Sequence, residues 1–169
     1  MDIASVINHL FPSAVVNVDF RVQDDGDGPF IVEWNLAAKK PSEAEMMAAA
    51  KYASKKIMWE RIKAERDRRS SCGGYKVGNI WFHSDQKSRN QQLCLAQLET
   101  QIVDNLLWKT MDGTFVVMSK TLVQNILAAA TSNDQAIFST AESHKVAMES
   151  IADPASYDFS NGWPKMFCD

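Results

Sequence analysis

Cysteine is scarce in this chain, and what there is does not pair. Three cysteines, Cys72, Cys94 and Cys168, stand far apart with no C-x-x-C among them. An odd count at that spacing is not a disulfide framework, and no zinc knuckle or thioredoxin-type site is suggested. They read as free thiols in a reducing cytosol. Histidine is as sparse: His9, His83 and His144 sit in no H-E-x-x-H or similar pairing. No basic segment followed by a long apolar run opens the chain, so no signal peptide is expected. No stretch reaches the ~20 apolar residues of a membrane span. The net charge of -3 lacks the strong basicity usual in a nucleic-acid binder.

What is present is an ordinary globular composition over 169 residues. That length is enough to bury a core without metals or disulfides. Charge is unevenly distributed. Residues 1–35 are nearly all acidic where charged, with Asp2, Asp19, Asp24, Asp25, Asp27 and Glu33 against Arg21. Residues 55–69 are mostly basic, with Lys55, Lys56, Arg61, Lys63, Arg66, Arg68 and Arg69 against Glu60, Glu65 and Asp67. A solvated helix face and a partner-binding surface both fit this run.

Ile3, Val6, Ile7 and Leu10 recur at helical spacing over residues 2–11, and Pro12 stops them. Residues 15–23 and 29–35 alternate like strands around Asp24-Asp25-Gly26-Asp27-Gly28, which predicts a β-hairpin. The aspartates lack the spacing and closing Glu of an EF-hand loop, so a turn is favoured over calcium. Ser42 and Glu45 form a capping box that starts a long helix, and Gly73-Gly74 ends it. Met46, Ala50, Ala53, Ile57 and Ala64 give that helix one apolar stripe, which is too weak for a firm coiled-coil seam.

The second half repeats a form. Tyr75-Lys76-Val77 and Ile80-Trp81-Phe82-His83 flank Gly78-Asn79, and Ser84 or Asp85 caps a helix carrying Leu93, Leu95, Leu98 and Ile102. Residues 106–110 and 114–118 flank Asp112-Gly113, and Ser119 caps a helix with Leu122, Val123, Ile126 and Leu127. A last helix is expected from Ser132 or Asp134 to Ile151, then an aromatic tail with Tyr157, Phe159, Trp163 and Phe167. The tail either docks onto its own domain or anchors a partner.

The expected fold is α+β. An N-terminal helix and β-hairpin docking module spans residues 1–41, and a long connecting helix spans 42–72. Two hairpin–helix units in 73–169 would then pair into one small antiparallel sheet packed by helices. Trp34, Trp81 and Trp108 are assigned to the core. Trp59, Arg66, Arg68, Arg69, Phe159, Trp163 and Phe167 are the candidate partner-binding residues. No nucleophile–base pair, phosphate loop or carboxylate constellation emerges, so a non-enzyme without cofactor or metal is expected.

Two segments carry a resemblance. Phe11-Pro12-Ser13-Ala14, Asp19-Phe20, residues 23–31, Trp34-Asn35 and Pro41-Ser42 resemble the small XkdW-type proteins encoded beside tail-fibre genes in prophages. Gly73-Gly74-Tyr75-Lys76-Val77, residues 81–85 and residues 108–115 resemble a phage domain family of unknown function, common in tail-fibre operons. Its members are often labelled tail-fibre assembly proteins. The resemblance implies a chaperone that binds the trimeric tail fibre and acts in the host cytoplasm, with persistence on the virion tail left open. Its alternative is a structural baseplate or fibre adaptor. Partners are therefore a fibre or baseplate protein, with no nucleic acid or membrane expected and self-association left open.

Overall fold

A computed structural model describes residues 2–98 and 101–168. The architecture is α+β: α1 (Ile3–Leu10), β1 (Phe20–Asp24), β2 (Pro29–Trp34), α2 (Glu43–Cys72), β3 (Tyr75–Val77), β4 (Ile80–Phe82), α3 (Gln86–Leu98), β5 (Leu107–Lys109), β6 (Phe115–Val117) and α4 (Lys120–Ser150). The chain forms two compact units. One holds residues 1–60 and 148–157, the other 61–147 and 158–169. Each long helix thus contributes residues to both. No described helix is long and apolar enough to cross a membrane.

In the first unit, Asp2 caps α1 by accepting from the Ser5 amide. The helix buries Ile3, Val6 and Ile7. Ile3 and Ile7 pack with Ala14, Phe20 and Ile31 in a small core. Side chains of this size each contribute about 1.5–3 kcal/mol when fully buried. The hairpin β1–β2 closes through Asp24, whose Oδ1 accepts from the amides of Gly26 (2.9 Å) and Gly28 (3.1 Å). Both glycines have positive φ, as the turn requires. The first strand is shorter than expected. Residues 15–19 form a turn with Asn17 at φ 65, held by the Val15 amide donating to Asp19 Oδ2.

The capping box of α2 forms as read: the Ser42 amide donates to Glu45 Oε2 (2.7 Å) and the Glu45 amide to Ser42 Oγ (3.3 Å). The stripe is displaced, however. Ile57 and Ala64 are exposed, and Ala49, Met58 and Ile62 are buried instead. The 4-3 spacing counted Ile57 inward because it is β-branched and apolar, but Met58 takes the buried position.

The second unit departs from the sequence reading in two places. The two C-terminal hairpins do not merge into one sheet. Each remains a separate two-stranded ladder, β3–β4 and β5–β6. One main-chain bond links them, from the Met111 amide to the Trp81 carbonyl (3.0 Å). Beyond it the chain leaves β4 at Ser84, a buried residue whose Oγ accepts from the Gly74 amide (3.0 Å). Asp85 then caps α3 through the Ser88 amide (3.0 Å). With β4 only three residues long, nothing is left to pair with β5.

The second departure is α4, which is one continuous helix. Val123, Ile126, Ala130, Ile137 and Ala141 are its buried residues in this unit, on one side of the helix. The expected start at Ser132 or Asp134 rested on short polar side chains, which favour caps. Here those side chains are engaged elsewhere. Thr131 Oγ1 donates to the Leu127 carbonyl, Asn133 reaches the Gly74 carbonyl, and Asp134 is paired with Arg89.

Arg89 ties the second unit together. Its guanidinium donates to both Asp134 oxygens (2.6 and 2.9 Å), to the Ser84 carbonyl (2.6 Å) and to the Ser70 carbonyl (2.9 Å). It also lies over the Tyr75 ring, 5.5 Å from its centre. Burial pushes the Tyr75 hydroxyl above its ordinary pKa, and the hydroxyl donates to buried Gln92. Around this node pack Phe82, Met118, Val123 and Ile126. Replacing Arg89 with alanine leaves Asp134 and two carbonyls short of donors. A loss of about 2–3 kcal/mol is expected by urea unfolding, tempered because the Asp134 side chain is 37% exposed.

Candidate interaction surface

The sequence placed its candidate interface on the basic part of α2 and on the aromatic tail. In the second unit Arg69, Phe159 and Trp163 meet one another, and the other candidates there find partners elsewhere. Arg69 bonds the Pro164 carbonyl (3.1 Å) and sits 5.3 Å from the Trp163 ring centre. Arg61 lies over Phe159 and Arg66 over Phe138. Trp163 donates from Nε1 to the Phe159 carbonyl (2.7 Å) and packs beside His144. Phe167 donates its amide to the Gly73 carbonyl (2.9 Å) and meets Trp81 edge-on. Such guanidinium–ring contacts are worth roughly 0.5–2 kcal/mol each. The tail therefore docks on its own unit.

Glu65 organises the basic side of this arrangement. It takes a two-pronged bond from Arg68 and a third bond from Arg69 at 2.6 Å. The Arg68 side chain is half-exposed and bonds only Glu65 among the described residues, whereas the Arg69 side chain is only 11% exposed. The hydrogen bond from Arg68, with further help from Arg69, holds the Glu65 carboxyl below its ordinary pKa. Trp59 is half-buried on α2 within the first unit.

A different surface was not singled out from sequence. Between α3 and β5 runs a groove of about 980 Å³, lined by Lys87, Gln91, Cys94 and Leu95 on the helix and by residues 106–109 on the strand. The β5–β6 register pairs Leu107 with Val117 and Lys109 with Phe115. On the inner face Trp108 and Val116 pack against the core. On the outer face Leu107, Phe115 and Val117 stay more than half exposed. A sheet with one wet face normally alternates apolar with polar. This one keeps three apolar residues beside Lys109 on its outer face, and that was the signal available in residues 106–118. Trp108, assigned to the core, is half-buried and packs against the core cluster from its edge, and its Nε1 is buried with no acceptor among the described residues. Trp34 packs against the first unit's core, while Trp81 lies under Phe167 and outside the central cluster.

Residues 53–161 match the family model described as "Domain of unknown function (DUF4376)". The chain belongs to this family. Residues 3–64 match a second model, that of the XkdW protein. Among curated proteins, the phage-like element PBSX protein XkdW of Bacillus subtilis (strain 168) is 39% identical over 46 residues. That match covers 27% of this chain and 42% of the relative. The uncharacterized protein YqcD of the same organism is 36% identical over 66 residues, 38% of this chain and 51% of the relative. The chain thus spans about half or less of the length of these relatives. No solved structure matches it. The N-terminal segment is accordingly related to a protein of a phage-like element.

The DUF4376 stretch contains the Arg89 node, the tail contacts as far as residue 161, and the groove. Its arginine–aromatic surface is sensitive to acid through Glu65. The folded pKa of Glu65 is lowered, so its contribution is complete above the unfolded value and is lost as pH falls through the folded one. Glu65→Gln should remove about 0.5–1 kcal/mol at neutral pH. The difference between variant and parent should vanish in acid. Urea midpoints measured from neutral pH down to acid check this, and an equal gap at every pH would contradict it.

Proposed function

We propose that this protein is a bacteriophage tail-fibre assembly factor that binds the trimeric fibre during its folding and association. Kinship with a phage-element protein supports the phage context. The exposed apolar hairpin β5–β6 carries the binding reading. A contiguous apolar face on a small domain marks an interaction site, and covering apolar surface of an unassembled partner is what a chaperone does. Arg68 and Phe167, which keep exposed surface, extend the proposed contact. We place its action in the host cytoplasm, without catalysis or cofactor. The conspicuous polar cluster of the fold, Arg89, Asp134, Tyr75 and Gln92, is consumed in joining elements together.

A structural adaptor of the baseplate or fibre base is the second reading. It is favoured by the two family segments, 3–64 and 53–161, which give the chain two distinct parts to offer two partners.

Co-expression with the fibre gene of the same phage element separates the two, using size exclusion with light scattering and immunodetection in purified particles. The chaperone reading predicts soluble trimeric fibre only when this protein is present. Fibre that trimerises equally well alone, with this protein in every particle at fixed stoichiometry, would make it an adaptor. Neither complex nor particle association would refute both.

A further inference from the structure

We propose that the groove between α3 and β5 receives an extended, acidic segment of a partner protein, which adds to the free edge of β5 as another strand. Naming the fibre as that partner rests on the function proposed above. The class of ligand rests on the groove.

The main chain comes first. The Met118 amide donates to the Leu106 carbonyl (2.8 Å) and the Thr110 amide to the Thr114 carbonyl (2.9 Å). In an antiparallel pair, bonding residues alternate. The main-chain groups of Leu106, Trp108 and Thr110 therefore face β6, and those of Leu107 and Lys109 face away from it. Met111, the next residue in the outward series, spends its amide on the Trp81 carbonyl. The same edge thus already accepts one strand-like partner at its end. Past that point β4 has turned into α3, and the edge opens onto the groove. An unpaired strand edge is a template for β-addition.

Side chains define what fits. The lining carries Lys87, Lys109 and His83, and no carboxylate. Neither lysine takes part in an ion pair among the described residues. Leu95 and Leu107 supply apolar walls, and the buried Trp108 indole N–H lacks an acceptor. A strand that alternates apolar side chains with carboxylates matches the apolar walls and gives both lysines a partner. A second copy of this chain added edge to edge through β5 does not, because that strand brings Lys109 and no carboxylate to the lysines of the groove.

The test uses full-length, ¹⁵N-labelled protein and three capped seven-residue peptides that alternate leucine with glutamate, glutamine or lysine. The glutamate peptide should shift the Trp108 indole signal and the Leu107 and Lys109 amides. It should bind at least ten-fold more tightly than the lysine peptide. Lys87→Glu with Lys109→Glu, both on the surface, should invert that preference. Leu107→Pro removes an outward amide without breaking the β5–β6 ladder and should weaken the glutamate peptide ten-fold or more. Equal binding of all three peptides, no shift of these signals at millimolar peptide, or a preference untouched by the charge reversal would overturn the proposal. So would a concentration-dependent dimer that moves the same signals. Peptide binding without a fibre complex would keep the groove and reject the fibre as partner. A fibre complex without peptide binding would do the reverse.

Discussion

The guanidinium of Arg89 is the point on which the second unit turns. One planar group of donors satisfies the end of α2 at Ser70, the start of α3 at Ser84 and the middle of α4 at Asp134, while its face covers Tyr75. A lysine has one charged centre and could not serve these directions at once. The surrounding apolar cluster supplies most of the burial energy, but it is non-directional. The arginine sets which elements meet, and in which order.

From that node follows the open strand. Because the Ser84 carbonyl is held by Arg89 and its hydroxyl by Gly74, the chain cannot continue β4 past Phe82. Gly74 is at φ +75, and a Cβ there would collide with the Met111 side chain. Substitution would therefore strain the backbone and disturb the main-chain link between the hairpins. Among the described residues the β3–β4 and β5–β6 ladders share one main-chain bond and then diverge. The outward edge of β5, its apolar outer face and the basic groove beside it are what that divergence leaves. In a continuous four-stranded sheet the β5 edge would be paired and the groove beside it closed.

Much of the fold was legible in the sequence because its signals are local. The Ser42–Glu45 box, the Asp24 to Gly28 turn, the Gly73-Gly74 stop and the hairpins around Gly78 and Gly113 are each fixed by a few neighbouring residues, and each forms. What was not legible depended on partners distant in the chain. Ser132 and Asp134 look like a helix start until Arg89 is placed beside Asp134. Met58 rather than Ile57 faces inward because of packing that spacing alone does not encode. The two hairpins seemed ready to pair, and only the turn at Ser84 prevents it. The arginine–aromatic candidates were found by residue type. They come together as an internal clasp of the tail, which the sequence reading had kept as one of two alternatives. The groove was missed although its sign was present: Leu107, Phe115 and Val117 are apolar where a half-wet hairpin would be polar.

Hydrogen exchange at single residues in the free, full-length protein tests the central claim most directly. If Arg89 turns β4 aside and leaves β5 with an open edge, the amides of Thr110, Met111 and Met118 should be strongly protected. Those of Leu107 and Lys109 should exchange at close to the rate of an unstructured chain. Protection of Leu107 and Lys109 equal to that of Thr110 would mean that the edge is already paired, and would contradict the account.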